Sequence, residues 1–568
     1  MMPKPASKTS VRITPEDRAR EFSGVFHASG KQLICSSCNI PVDHTRKASL
    51  EKHLITAKHR RRLGLYTISE EKPSKKPRVV KTEVAPQPQR SGNRLEPVLK
   101  LVQAFAEANI PIGKIDHPAL HAFLEQNVKK VGVLPEASVL RNMYSQKVYE
   151  LHVKELTEKF GRCHNVAIVV DETTDEEDRY MLNILAVPSL SVEGPRNGGN
   201  KSVEPLLEAY LIECCLLEIT NFKTVSEAVL RATQMVNIEP TKVSAFVTDH
   251  AAYMYKAWER SLKPIFLNAV HVTSAAHILS IVGEIWQNAF DEVSQLIVAI
   301  EKSFSACPAR KARFRNFLQE KGMKPTLPPA VQPNRWSSWF ESASYHRLHL
   351  QDYAEFFQGE QQTSGSSAVE EVVELAQSGN TEEQLDVLDR YGGHVRQMLA
   401  KYELARSTAA CVVDDLRELA FWAQGEAEVA CTVAADALIA MATRLCQYVE
   451  FESPCRFTQP AARFLAACRM FDPAKALELL MDSGEICNAV PLLEDNIAGI
   501  AQLIAYLDNL GEFVPSEPVM FWRKLADRFP ELSRVVLACL SVPLSSVDAK
   551  KSISMYSNVL MSEFHGHK

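Results

Sequence analysis

Cys35 and Cys38 stand two residues apart, His53 follows after fourteen more and His59 after a further five, an order that leaves so short a segment few ways to fold. A stretch of this size buries too little apolar surface to hold itself together without a staple. Tetrahedral zinc takes four nitrogen or sulfur ligands, and this order supplies two thiolates from a tight knuckle and two imidazoles from one helix. Cys35, Cys38, His53 and His59 are therefore the expected ligands of a structural Zn²⁺ with no open position for chemistry. Residues 24–34 (GVFHASGKQLI) read as a short hairpin with Ser29-Gly30 at its turn. From Lys47 to His59, residues Leu50, His53, Leu54 and Ala57 recur at helical spacing. His53 and His59 are six residues apart, so His59 reaches the metal only if the helix end loosens. His44 is a spare ligand nearby, and the alternative is a reduced Cys-x-x-Cys with two unrelated surface histidines.

Charge is distributed unevenly along the 568 residues, which carry −5 overall. Between His44 and Lys81 there are twelve Lys or Arg against Glu51, Glu70 and Glu71, a local excess of +9 that leaves −14 on the remainder. A basic head on an acidic body points to a polyanionic partner, because each phosphate neutralised releases counterions. Arg46, Lys47 and Lys52 fall at or near the start of the expected helix, and Lys58, Arg60, Arg61 and Arg62 extend its end. These seven are the candidate DNA contacts: phosphate clamps around a helix that a groove can admit. The segment Lys72-Pro-Ser-Lys75-Lys76-Pro-Arg78 is proline-broken and too basic to pack, and reads as a nuclear-import signal and DNA-contacting tail. A solvated linker is the plainer reading of the charge run taken alone.

The first part of the chain also carries a family resemblance. Residues 13–22 (ITPEDRAREF), 35–54 (CSSCNIPVDHTRKASLEKHL) and 107–124 (EANIPIGKIDHPALHAFL) resemble the CGG triplet-repeat-binding protein family in order and spacing. Membership implies a BED-like finger that binds GC-rich or CGG-repeat double-stranded DNA in the nucleus and influences transcription. No residue here spells out CGG by itself.

Beyond a Pro-, Gln-, Ser- and Gly-rich linker (Val84–Asn93), apolar residues return at helical spacing through Val98, Leu101, Val102, Phe105, Leu120, Phe123 and Leu124. The period then changes. Val166–Val170 is a buried-strand run ending in Asp171, Tyr180–Pro188 and Ala209–Leu217 are further strands, a helix covers Val225–Met235, and Val243–Thr248 is a strand that ends before Asp249. This is the element order of a ribonuclease H-like α/β core, in which Asp171 and Asp249 meet at one edge where two metal ions serve phosphoryl transfer. Strand-end capping is the bland role for both.

Several short motifs resemble the hAT transposase superfamily: Thr248-Asp249-His-Ala-Ala its TDxAxN segment, Ser274-Ala-Ala-His277 its CxxH, Asn334-Arg-Trp-Ser-Ser338 its RW motif. Phe521-Trp522-Arg523, Arg528-Phe529-Pro530 and Pro543–Leu560 resemble its C-terminal dimerisation segment, which implies a homodimer. The departures bear on activity. Lys550 stands where the resemblance places the third catalytic carboxylate, an ammonium cannot coordinate Mg²⁺, and the nearby Asp548 substitutes only if the helix register slips. Asp171 and Asp249 are thus expected to be vestigial and the chain not an enzyme, with an active, Mg²⁺-dependent DNA-cleaving transposase and an RNA or protein adaptor as alternatives.

The fold class expected is multidomain α+β, divided as a flexible N-terminus (1–22), a ββα-type zinc finger (23–65), a basic disordered linker with the import signal (66–94), a helical adaptor (95–160), the first part of a ribonuclease H-like core (161–345), a helical insertion (346–460), and the core remainder with the hAT-type dimerisation region (461–568). No run of about 18 apolar residues suits a membrane span and the N-terminus lacks the apolar core of a secretory signal, so an intracellular, non-membrane location is expected. The thirteen cysteines are an odd number, and Cys214, Cys215, Cys411, Cys431, Cys446, Cys468 and Cys539 sit in apolar stretches, so reduced thiols are expected.

Overall fold

The computed structural model of the chain describes residues 14–22, 25–29, 32–35, 41–42, 45, 47–54, 95–127, 134–174, 179–193, 207–332, 335, 337–363, 366–403, 409–449, 459–479, 481–546 and 548–549. It divides into two compact units, 1–89 and 90–568.

The first unit begins with a helix that local chemistry encodes. Thr14 Oγ1 accepts from the Asp17 backbone while the Asp17 carboxylate accepts from the Thr14 N–H at 3.0 Å, and Pro15 fills the first helical position. Helix α1 (Pro15–Glu21) then lies against a hairpin of β1 (Phe26–Ser29) and β2 (Gln32–Cys35). The stretch read as a flexible N-terminus over 1–22 is therefore helical in its second half, because the apolar face of so small a hairpin needs a cover. Strand β3 (Pro41–Val42) pairs antiparallel with β2; two residues are too few to show alternation in the sequence. Helix α2 (Lys47–Leu54) closes the unit. Its core is Phe26, Leu33, Cys35 and Leu50, with Ala19, Phe22, Val25, Val42 and Leu54 around them.

The second unit opens with helices α3 (Leu95–Glu107), α4 (Pro118–Asn127) and α5 (Ser145–Arg162), the last preceded by a wider π-type turn over Leu140–Tyr144. Val98, Val102, Phe105, Ile115, Leu124 and Leu140 form their shared core. A five-stranded sheet follows, in the order β6-β5-β4-β7-β8, from β4 (Val166–Thr174), β5 (Tyr180–Pro188), β6 (Tyr210–Leu217), β7 (Val243–Thr248) and β8 (Val270–Thr273). β4, β5 and β6 are antiparallel neighbours; β7 lies parallel to β4, and β8 parallel to β7. Each parallel step needs a crossover, which α6 (Phe222–Met235) supplies from β6 to β7 and α7 (Ala252–Ala257) helps supply from β7 to β8.

Both faces of the central strands are covered, as their unbroken apolar runs require. Val166, Ile168 and Val170 point toward α6 and α7, sharing a core with Val225, Val229 and Met254. Ala167 and Val169 point the other way, into a larger core built by α8 (Ala275–Ala289), α9 (Asp291–Ala306), α10 (Pro308–Glu320), α11 (Ser337–Thr363), α12 (Ser367–Ala376), α13 (Gly379–Glu403), α14 (Val412–Ala427) and α15 (Thr432–Val449). The helical region read as an insertion over 346–460 shares this core: α11 runs across position 345, and α8 packs on both α13 and α15. Its exit is sutured to the sheet by Gln459, whose side chain accepts from the Thr273 N–H and donates to the Thr273 carbonyl, both at 2.8 Å. The amide thereby pairs with the end of β8 as a neighbouring strand would.

Short helices over Ala462–Cys468, Pro473–Ala476 and Ser483–Ala489 lead to α16 (Ile497–Asp508), α17 (Pro518–Lys524) and α18 (Pro530–Leu540). Trp522 is fully buried among them, its indole N–H donating to the Phe471 carbonyl at 2.7 Å and its ring 4.8 Å from that of Tyr506. The segment returns to the sheet, where Ser541 Oγ accepts from Leu190 N–H at 2.9 Å and the Leu544 carbonyl accepts from Ala275 N–H at 2.9 Å. No disulfide joins two described cysteines, and no described helix is long and apolar enough to cross a membrane.

Two truncations separate the units. Trp522→Ala removes a filled core position and orphans a buried carbonyl, and is expected to cost roughly 3–5 kcal/mol; the urea midpoint of the body falls while amide protection over 26–35 is unchanged. Phe26→Ala does the reverse: hydrogen exchange monitored by mass spectrometry loses protection over 26–35 and 47–54 and keeps it over 166–188.

Candidate nucleic-acid interface and acidic cluster

In the first unit, two of the four expected zinc ligands can be placed. Cys35 ends β2 and is fully buried; His53 lies in the last turn of α2. Phe26 links them, standing opposite Cys35 in the hairpin register with its ring centroid 6.0 Å from that of His53. The strand end and the helix thus carry a thiol and an imidazole onto one small core, a soft and a borderline donor that suit zinc. Cys38 and His59 lie outside the described residues, as do His44, Arg46, Lys58, Arg60, Arg61, Arg62 and the import-signal residues Lys72, Lys75, Lys76 and Arg78.

Two of the expected DNA contacts are described, and they differ. Lys52 is exposed on α2. Lys47 has its ammonium 2.5 Å from the Glu21 carboxylate and 5.5 Å from the centre of the Phe22 ring. The hydrogen bonds from Lys47 and Arg18 hold the Glu21 carboxyl below its usual range. Lys47 therefore ties α2 to α1 as well as carrying charge, a role invisible while residues 1–22 read as flexible.

In the second unit the strand register sets the acidic residues. Val169 of β4 is level with Val247 of β7, so two residues further along these parallel strands Asp171 and Asp249 arrive side by side at one end of the sheet. Asp171 is buried and faces Asn183 of β5, itself buried. Glu172, the next residue, accepts from the Tyr253 hydroxyl at 2.6 Å. Burial, that hydrogen bond and the charges of Asp249, Glu172 and Asp171 push the Tyr253 phenol well above its usual pKa, so it stays a neutral donor. Asp249 Oδ1 accepts from the Ala251 N–H at 3.0 Å, an Asx turn that starts the chain toward α7. The capping role and the place beside Asp171 coexist in Asp249. Glu172, Tyr253 and Asn183 were missed in the sequence; the adjacency of Glu172 to Asp171 was the available signal.

Around this end the hAT-like motifs settle into structural roles. Ser274 is the N-cap of α8, its Oγ accepting from the His277 N–H at 3.4 Å and its own N–H donating to the Thr248 carbonyl at 2.8 Å. Serine caps a helix well, and Ser274 holds the start of α8 in place. The rings of His250 and His277 stand 4.7 Å apart. Thr248 Oγ1 donates to the Asp249 carbonyl at 2.6 Å, so its contact with His271 Nε2 at 2.9 Å is one in which the imidazole donates. Burial holds His271 neutral, its pKa pushed down to about 3.

Lys550 lies outside the described residues. Asp548 shares a small cavity of about 20 Å³ with Val187, Ala209 and Tyr402. Val187 is four residues along β5 from Asn183, the partner of Asp171, or about 13 Å at the rise of a strand. Leu544 lines the same cavity, and its carbonyl accepts from the N–H of Ala275, next to Ser274 at the Thr248 end of β7. Among the described residues no group of three or more His, Cys, Asp or Glu side chains is arranged to hold a metal ion.

Comparison with known proteins agrees with this division. Residues 9–63 match the CGGBP1 N-terminal domain, residues 89–147 the CGGBP1 helical domain, and residues 501–563 the hAT family C-terminal dimerisation region. CGG triplet repeat-binding protein 1 of Homo sapiens is 35% identical over 144 residues, which are 25% of this chain and 85% of that protein. The Mus musculus protein of the same name matches at the same identity and coverage. With its first unit and first helices aligned to 85% of that relative, the chain belongs to the CGG triplet repeat-binding protein family and joins to it a hAT-type C-terminal region.

Proposed function

We propose that this protein is a nuclear DNA-binding regulator of transcription, derived from a hAT transposase, that recognises CGG-repeat or GC-rich duplexes through its first unit. The observation that carries the reading is the match to 85% of a CGG repeat-binding protein, in a unit whose core brings Cys35 and His53 together through Phe26. Cys35, Cys38, His53 and His59 would hold a structural zinc, whose four bonds supply the stability that so small a core lacks. Arg46, Lys47, Lys52, Lys58 and Arg60–Arg62 would meet phosphates, with Lys47 contributing less because Glu21 already neutralises it. The basic stretch Lys72–Arg78 would direct the chain to the nucleus.

The body is proposed to be a catalytically silent ribonuclease H-like core that dimerises through its C-terminal region. The strand order β6-β5-β4-β7-β8, with one end carrying Asp171 and Asp249, supports the fold. Silence is supported by Lys550 at the aligned carboxylate position, where an ammonium cannot coordinate Mg²⁺. The match of residues 501–563 to a dimerisation region supports the homodimer.

Binding of the full chain to a CGG-repeat duplex and to a scrambled duplex of equal composition, across a salt series, tests the first part. Zinc chelation or Cys38→Ser is expected to abolish the preference for the repeat, and repeat binding at wild-type strength in Cys38→Ser would sink the zinc-finger reading. Lys52→Ala lowers the salt slope by about 0.9 if its ammonium meets a phosphate, and Lys47→Ala lowers it by less. For the body, incubation with Mg²⁺ leaves duplex DNA uncut and Asp171→Ala binds DNA as the parent does. Mg²⁺-dependent cleavage that disappears in Asp171→Ala would instead establish an active transposase.

A further inference from the structure

A half-open cavity of about 140 Å³ lies between α9, α11 and the segment following α10. Its walls are mainly apolar: Ile297, Ile300 and Phe304 of α9 on one side, Leu327 on the other. Ser342 and His346, both 0% exposed and one turn apart on the same face of α11, reach in among them, and the exposed Glu301 and Ser305 and the half-buried Lys311 line the cavity as well. Ser342 Oγ and His346 Nε2 have no hydrogen-bond partner among the described residues. A mainly apolar recess with two convergent buried polar atoms at its back has the form of a small-molecule site, and two buried polar atoms left unsatisfied are costly.

The chemistry of those atoms defines what fits. The Tyr353 hydroxyl lies 2.9 Å from His346 Nδ1, and a phenol is the better donor of that pair, so the ring proton sits on Nε2. Burial keeps the imidazole neutral, its pKa pushed down to about 3. The back of the cavity therefore presents an N–H donor and a hydroxyl with no net charge. An acceptor is wanted there, and a carboxylate would have to be desolvated against a neutral ring. We infer that this cavity binds an uncharged, largely apolar small molecule, anchored by a carbonyl or similar acceptor on His346 Nε2 and Ser342 Oγ.

Prodan, a neutral naphthyl ketone whose emission shifts to the blue in apolar surroundings, is the probe. Titrated into the full chain, it is expected to bind saturably with a blue shift. His346→Phe removes the donor and keeps the ring, and weakens binding about tenfold, the loss of one well-made hydrogen bond. Because a core substitution can disturb folding, a second variant, Ala330→Trp, blocks the cavity from an exposed lining position and abolishes the blue-shifted binding. Circular dichroism checks the fold of each, and if His346→Phe does not fold, Ala330→Trp alone decides. Absence of saturable binding, binding unchanged in a folded Ala330→Trp or His346→Phe, or tighter binding of the carboxylate analogue of prodan overturns the inference and leaves a cavity that holds water.

Discussion

Strand β4 is buried on both faces, and most of the body follows from that constraint. A strand reading Val166-Ala-Ile-Val-Val170 cannot leave either side in water, so one face takes α6 and α7 and the other takes the helices from α8 onward. At roughly 25 cal/mol for each Å² of apolar surface removed from water, covering such a strand twice outweighs what single polar contacts contribute. The same strand, by pairing parallel with β7, places Asp171 level with Asp249. Core packing and the geometry of the acidic end are one decision, taken by the register of two strands.

The helical region from α11 to α15 illustrates how far that constraint reaches. It adds its apolar faces to the core beneath Ala167 and Val169, and Gln459 then fastens its exit to Thr273. Tyr448 joins the same point, its hydroxyl donating to the Thr273 carbonyl at 2.5 Å. A segment that reads in sequence as an interruption is held as part of the core. The buried Arg310–Glu360 pair, 3.0 Å apart, joins α10 to α11 within it, and the Arg310 guanidinium also donates to the Ser303 carbonyl. A charge pair so deeply placed needs such additional hydrogen bonds to offset its desolvation.

The first unit rests on a different balance. Four buried side chains among the described residues are a small core, and the helix α1, the Lys47–Glu21 pair and the proposed zinc each add what the hairpin and α2 lack. Of the two described lysines of α2, Lys52 faces water, whereas Lys47 shares in this work through Glu21. That difference between two lysines five positions apart could not be read from a count of charges, since it depends on where α1 returns.

Periodicity and local chemistry in the sequence by themselves determined the hairpin at 26–35, the start of α2, and the strands at 166, 180, 210 and 243, because alternation, capping residues and apolar runs act over a few neighbours. They also marked Cys35, His53, Asp171 and Asp249 as chemistry-bearing. Helix α1 was legible in Thr14-Pro-Glu-Asp17 but was passed over, and the short strands β3 and β8 carried too few residues to show a period. Only the tertiary structure decided that Glu172 and Tyr253 join the acidic end, that Gln459 pairs with the end of β8, and that His346 and Ser342 face a cavity. Each of these depends on which strands and helices become neighbours across hundreds of residues, and that choice is made by the burial of the whole core, which no short window of sequence contains.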